Sequence, residues 1–282
     1  AAKERTRSLA LTAGPGAGKT EMLAQRADFL LRTGICRYPK RILAISFKVD
    51  ASKNLKERVQ RRCGAELASR FDSYTFHAFA KRIIDRFRPV LTGQDALDVD
   101  YKIGDRKVTR RQIEFSDLVP MASRILETSA VARNAIRQTY SDVFLDEFQA
   151  LRGEAILRFF RTLLARLPPH VHVFIGSRSL PEIGLATLLV NCVAIVVRAD
   201  DLRFTPDEVA KFFAGSNNLR VSADEVDAIY RRTEGWPAGV QLFRLALLSP
   251  EVRLSLGGDE DSGPRELAEY LADNVMSLQT AR

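Results

Sequence analysis

Ala13-Gly14-Pro15-Gly16-Ala17-Gly18-Lys19-Thr20 constrains this chain more than any other segment. An apolar run from Leu9 to Thr12 leads into it and reads as a strand. A helical pattern follows, with Leu23, Ala27, Leu30 and Leu31 on one face and Gly34 as its stop. Glycines at 14, 16 and 18 let the backbone curl so that its N–H groups converge. The helix start adds its dipole and its free donors. A loop of this kind between strand and helix is suited to a polyphosphate. Lys19 can reach the β- and γ-phosphates, and the Thr20 hydroxyl can hold Mg²⁺. The expected cofactors are therefore ATP and Mg²⁺. The expected nucleotide ligands are Gly14, Gly16, Ala17, Gly18, Lys19, Thr20 and Glu21.

A second segment supports the first. Val143-Phe144-Leu145-Asp146-Glu147-Phe148-Gln149 is an apolar strand that ends in two adjacent carboxylates. Neighbours on a strand point to opposite sides, so the two acids can take different tasks. Asp146 is expected to hold Mg²⁺ together with Thr20. Glu147 is expected to orient and deprotonate the attacking water.

Composition narrows the class. The chain has 282 residues and 46% hydrophobic content, enough for one large or two modest domains. No apolar run is long enough to span a bilayer, so no membrane partner is expected. Residues 1–5 carry no signal-peptide core. Cys36, Cys63 and Cys192 are odd in number and far apart, which suggests neither a disulfide framework nor a zinc site and fits a cytoplasmic setting. Charge is uneven. Residues 1–150 hold 28 Lys and Arg against 18 Asp and Glu, whereas residues 151–282 hold 15 against 17. The front half has the balance of a polyanion binder. A solvated basic surface would give the same balance.

Strand patterns recur between helical ones at Ser8–Thr12, Arg41–Phe47, Asp142–Asp146, Val171–Gly176 and Val193–Val197. This alternation predicts an α/β fold, a three-layer P-loop NTPase with a parallel sheet covered by helices on both faces, plus a C-terminal helical extension. We expect a nucleotide-binding domain over residues 1–200, with a helical and polar insertion at 88–140, and the helical extension over 201–282. Within the insertion, residues 89–111 are polar and broken by Pro89, Gly93 and Gly104. Thr205-Pro206-Asp207-Glu208 and Ser222-Ala223-Asp224-Glu225 read as capping boxes. Pro237 opens a helix through Leu248. Residues 251–264 read as a loop, and Glu266–Leu278 as a short helix. The C-terminus carries no clear end signal, as a fragment would show.

The front half resembles the first core domain of UvrD/Rep-type superfamily 1 DNA helicases. The likeness rests on the Gly-Lys-Thr loop, on Ile45-Ser46-Phe47-Lys48-Val49-Asp50-Ala51, on Ser73-Tyr74-Thr75-Phe76-His77-Ala78-Phe79-Ala80, and on Asp146-Glu147-Phe148-Gln149. In that family the second and third segments line a track for single-stranded DNA. The resemblance thus implies a single-stranded DNA partner, with contacts at Phe47, Lys48, Thr75 and His77, and a coupling role for Gln149. An aromatic and a lysine just past a strand suit stacking and phosphate contact. Phe76, Phe79, Ile83, Ile84 and Phe87 have core spacing, and His77 lies one step off that stripe. Arg58, Arg61, Arg62, Lys81, Arg82, Arg86 and Arg88 are either solvated helix faces or a phosphate track.

That likeness covers about residues 5–149. Ala150 stands where the helicases carry an aspartate, and no Gly-Asp-x-x-Gln segment follows. The family's second motor domain has no counterpart, which implies an ATPase core that does not unwind DNA alone. The back half is similar to MalT/LuxR-type regulators of the STAND class of signalling ATPases. The carrying segments are Phe174-Ile175-Gly176-Ser177-Arg178-Ser179-Leu180-Pro181, Ala199 to Glu208, Thr233-Glu234-Gly235-Trp236-Pro237-Ala238-Gly239-Val240-Gln241-Leu242 and Glu266 to Leu271. That resemblance implies that Arg178 senses the γ-phosphate and that Trp236 and Pro237 lie near the base. Together the two halves read as a chimera of two P-loop lineages.

Overall fold

The computed structural model describes residues 8–14, 16–148, 153–165, 167, 171–179, 194–215 and 221–248. Gln149 and the stretches 251–264 and 266–278 lie outside the described residues. The chain divides into two units, Ala1–Gly14 with Lys19–Arg198, and Pro15–Gly18 with Ala199–Arg282.

The first unit is built on β1 (Ser8–Thr12), β2 (Arg41–Ser46), β3 (Phe71–Thr75), β6 (Tyr140–Asp146), β7 (His172–Ser177) and β8 (Ala194–Arg198). Among the described residues these form one sheet in the order β3-β2-β6-β7-β1-β8, with each neighbouring pair parallel. The expected α/β architecture is present. Because all strands run one way, their C-terminal ends share one edge. Register places Ser46 opposite both Thr75 and Asp146, and Thr12 opposite both Ser177 and Arg198.

Strand periodicity sorts the two faces. Val143 and Leu145 join Leu43, Ile45 and Ile175 in a core completed by α3 (Phe76–Phe87), α4 (Leu118–Thr128), α5 (Ala130–Thr139) and α6 (Glu154–Ala165). Phe76, Phe79, Ile83 and Ile84 are buried there, as their spacing predicts. Phe144 lies between Val143 and Leu145 and meets Phe71 and Phe174 edge-on at 6.1 and 5.3 Å. The opposite layer holds α1 (Lys19–Arg32) and α2 (Val49–Ala68). Asp146 is two residues beyond Phe144, so it shares the face toward α1.

Strand β3 is a finding of the structure. Its sequence, Phe-Asp-Ser-Tyr-Thr, lacks an apolar run because it is an edge strand tied by polar pairs. Arg41 grips Asp72 through two hydrogen bonds of 2.6 and 2.8 Å, and the Ser73 hydroxyl donates to the Ser52 carbonyl at 2.8 Å. In the polar stretch after α3, β4 (Leu97–Gly104) and β5 (Arg110–Glu114) pair as a separate two-stranded sheet. The chain then returns to the main core through Ile113, Leu118, Ala122 and Ile125.

The second unit contains α7 (Pro206–Ala214), α8 (Ala223–Thr233) and α9 (Pro237–Leu248). Both expected capping boxes are formed. Glu208 N donates to Thr205 Oγ1 at 3.3 Å while Thr205 N donates to Glu208 Oε2 at 2.9 Å, and Ser222 and Glu225 repeat the exchange. Val209, Phe213, Val226, Ile229, Val240 and Phe243 form its core. No helix among the described residues is long and apolar enough to cross a membrane.

Candidate nucleotide site and the adjoining sheet edge

The site assembles at the C-terminal edge of the sheet. Ala13 N donates to the Ser177 carbonyl at 3.1 Å, which fixes the start of the loop against β7. Gly16 and Gly18 take φ values of +74° and +80°, where a side chain would strain the backbone. The Lys19 ammonium donates to the carbonyls of Ala13 and Gly14 at 2.7 and 2.6 Å. Burial lowers the Lys19 pKa. The Asp146 and Glu147 charges oppose that effect, and Arg178 reinforces it. Arg178 is exposed just past β7 and its charge reaches Lys19.

Thr20 Oγ1 donates to Asp146 Oδ2 at 3.0 Å. The other oxygen, Oδ1, accepts from the Glu147 backbone N–H at 3.0 Å. Asp146 is 1% exposed, and burial raises its pKa. The Thr20 hydrogen bond, the Glu147 N–H and the Lys19 charge counteract this, while the Glu147 charge adds to it. Glu147 itself has φ +54°, so the chain turns sharply after β6 and leaves the second acid half-buried at the edge. Strand β7 lies between β1 and β6, and Gly176 makes room there. A β-carbon at Gly176 would stand 3.2 Å from Asp146 Oδ1 and 3.8 Å from Leu23 Cδ1.

The donor set fits a magnesium nucleotide. A hydroxyl and a carboxylate already share one point, and hard oxygen ligands suit Mg²⁺. Thr12 Oγ1, Ser46 Oγ and Ser177 Oγ are buried without a hydrogen-bond partner, and each belongs to the last residue of β1, β2 or β7. Buried hydroxyls are normally satisfied, so three orphans along one edge mark a polar site.

The helicase-like positions occupy the same edge. Phe47 and Lys48 are exposed just past β2. Thr75 ends β3 and caps α3 by accepting from Ala78 N at 3.3 Å. His77 is half-buried, and its ring stacks on Phe115 at 4.3 Å. Burial pushes the His77 pKa down. Phe115, 55% exposed, carried no periodic signal in the sequence. The structure does not bring the Glu21 carboxylate to the loop, because Arg58 and Arg62 of α2 engage it. Within the second unit, Gly16 lies against Trp236 and Ala238. A β-carbon on Gly16 would stand 2.8 Å from each. Pro237 begins α9 directly after Trp236.

Comparison with known proteins is consistent with both resemblances. Residues 1–99 match the family model for the UvrD/REP helicase N-terminal domain. The HTH-type transcriptional regulator MalT of Vibrio cholerae is 33% identical over 143 residues, covering 48% of this chain and 15% of that protein. MalT of Vibrio campbellii is 26% identical over 183 residues, covering 64% of this chain and 20% of that protein. A probable DNA helicase of Mycoplasma pneumoniae is 27% identical over 136 residues, covering 46% of this chain and 25% of that protein. The chain thus spans a quarter or less of the length of each of these relatives, and it is similar both to UvrD/REP-type helicase cores and to MalT-type regulators.

Proposed function

We propose that this chain is a helicase-like P-loop ATPase core that binds ATP with Mg²⁺, hydrolyses it, and holds single-stranded DNA along the edge of β2 and β3. One observation carries the reading: the Thr20–Asp146 hydrogen bond stands on the edge that also bears Phe47, Lys48, Thr75 and His77. Counted from Asp146 on β6, the DNA positions would lie one strand away on β2 and two away on β3.

Bound Mg²⁺ would neutralise charge on the phosphates during transfer. Thr20 and Asp146 would hold it. Lys19 would leave the Ala13 and Gly14 carbonyls for the phosphate oxygens. Glu147 would accept the proton of the attacking water, and Arg178 would place positive charge near the γ-phosphate. On the DNA side, Phe47 and the His77–Phe115 pair would stack on bases, and Lys48 would meet a phosphate. ATP turnover with and without a single-stranded oligonucleotide tests this, with Lys19→Ala as the blank. Turnover that rises with DNA and vanishes in the variant is expected. Turnover unmoved by DNA would remove the DNA half of the proposal.

A second reading has its own observation. The approach of Trp236 and Ala238 to Gly16 favours a STAND-type switch, in which bound nucleotide sets a conformation and turnover is slow. Arg178→Ala should then change the preference for ATP over ADP, and an unchanged ratio would count against the switch.

A further inference from the structure

Glu21 follows Lys19 and Thr20 in the first turn of α1, yet its carboxylate faces a different helix. Each helical residue is rotated by about 100° from the last, so three consecutive side chains cannot face one point. Glu21 Oε2 accepts from Arg58 Nη1 at 2.8 Å, and Oε1 accepts from Arg62 Nη2. Arg58 and Arg62 are four residues apart and share one face of α2. Asn54 Oδ1 accepts from Arg58 Nε at 2.5 Å and fixes that guanidinium. Burial alone would raise the Glu21 pKa, but the hydrogen bonds from Arg62 and Arg58 outweigh it and hold the carboxyl below its usual range. Paired charge-assisted bonds of this kind set geometry as well as adding energy.

The α2 helix then leads to the edge proposed to hold single-stranded DNA. Its one non-helical residue, Gly64, lies beyond both arginines, so the helix is uninterrupted from Val49 to Arg62. Lys48, its N-cap, is about 15 Å from Arg58 along the axis. In the first turn, the Ser52 hydroxyl lies 2.9 Å from that of Ser73 on β3, and the Ser73 hydroxyl also donates to the Ser52 carbonyl. Thr75 follows two residues later. One uninterrupted helix therefore carries both the clamp on Glu21 and the contact with Ser73; its N-cap Lys48 adjoins Phe47, and Thr75 lies two residues beyond Ser73.

We infer that Glu21 is a positioning residue that couples the phosphate loop, through Arg58 and Arg62, to the edge that holds single-stranded DNA. The inference rests on the helicase-like reading above. Its physical warrant is that α2 is one rigid element bound at one end to α1 by charge-assisted bonds and at the other to β3 by the Ser52–Ser73 contact. The Glu21 carboxylate acts through α2, where Arg58 and Arg62 hold it.

A mutant cycle on the full chain tests it. The readout is the ratio of ATP turnover with saturating oligothymidylate to turnover without it, alongside thermal melting. Glu21→Gln should lower this ratio about fivefold, Arg58→Gln with Arg62→Gln should lower it by the same factor, and all three together should do no more. Reversing the pairs, with Glu21→Arg, Arg58→Glu and Arg62→Glu, should restore the ratio. A merely structural clamp would move melting and leave the ratio untouched. Stimulation that survives in every variant, or losses that multiply in the triple variant, would overturn the coupling alone. An unmutated chain without stimulation would overturn the coupling and the DNA-binding reading together.

Discussion

Thr20 and Asp146 are joined by a 3.0 Å hydrogen bond although 126 residues separate them. The bond exists because α1 starts where β1 ends and Asp146 ends a strand two places away in the same sheet. Asp146→Asn keeps the shape but removes the negative charge. We expect Mg²⁺ affinity to fall about tenfold or more and turnover to fall with it. Glu147→Gln should instead leave Mg²⁺ binding in place and slow turnover about 10²- to 10⁴-fold, the usual range for a lost general base. Mg²⁺ titrations with a nucleotide analogue, run beside turnover assays, separate the two. Equal effects on both quantities in both variants would refute the division of labour.

Burial raises the Asp146 pKa, which fixes the sign of a pH effect. As pH falls, Asp146 takes up its proton before an ordinary aspartate would. Mg²⁺ affinity should therefore decline from a pH above the ordinary aspartate range. The fold responds oppositely at this residue. An acid with a raised pKa contributes stability that is present below its unfolded value and is lost as pH rises through the folded one. Asp146→Asn should flatten the pH profile of Mg²⁺ binding, and a wild-type decline confined to the ordinary range would contradict the argument.

Gly176→Ala tests the packing behind the site. The added methyl would sit 3.2 Å from Asp146 Oδ1, and that carboxylate is held on both oxygens by Thr20 and the Glu147 N–H. It has no free direction in which to yield. Overpacking of this kind costs about 1–3 kcal/mol. The melting temperature should drop, and Mg²⁺ affinity should fall because the Thr20–Asp146 pair is pushed apart. A lower melting temperature with unchanged Mg²⁺ affinity would show that the methyl is absorbed toward Leu23 instead.

Much of this arrangement was legible in the sequence. Leu9 to Thr12 before the glycine loop, and Val143 to Leu145 before two acids, are apolar strands followed by polar ends, so both pattern and chemistry point to one edge. Thr205 with Glu208, and Ser222 with Glu225, mark helix starts through bonds between near neighbours. What stayed hidden depends on contacts distant in sequence. Strand β3 is held by Arg41 to Asp72 and Ser52 to Ser73 rather than by an apolar run. A first-turn glutamate such as Glu21 reads as a complement to the helix dipole or to the loop. Its partners lie 37 and 41 residues further on, a spacing that no local pattern encodes. Phe115 precedes a helix without belonging to its apolar face, so only the stack on His77 marks it.

The edge proposed to hold single-stranded DNA should separate stacking from charge. Phe115 is exposed and lies flat on His77, 4.3 Å between centroids with planes 29° apart, so its outer face is open to a base. Phe115→Ala should weaken single-stranded DNA binding by about 1–3 kcal/mol, the usual loss for one stacked base, and leave its salt dependence unchanged. Lys48→Ala should act in the other way. Removing one phosphate contact reduces the slope of log affinity against log salt by about 0.7. Acid adds a third signature through His77. Burial keeps this imidazole neutral to a lower pH than usual, so the extra positive charge arrives, and DNA affinity rises, only below the ordinary histidine range. Fluorescence anisotropy across salt and pH reads all three. A Phe115 variant that changes the salt slope, or an affinity rise already complete within the ordinary histidine range, would move the strand away from the His77–Phe115 pair.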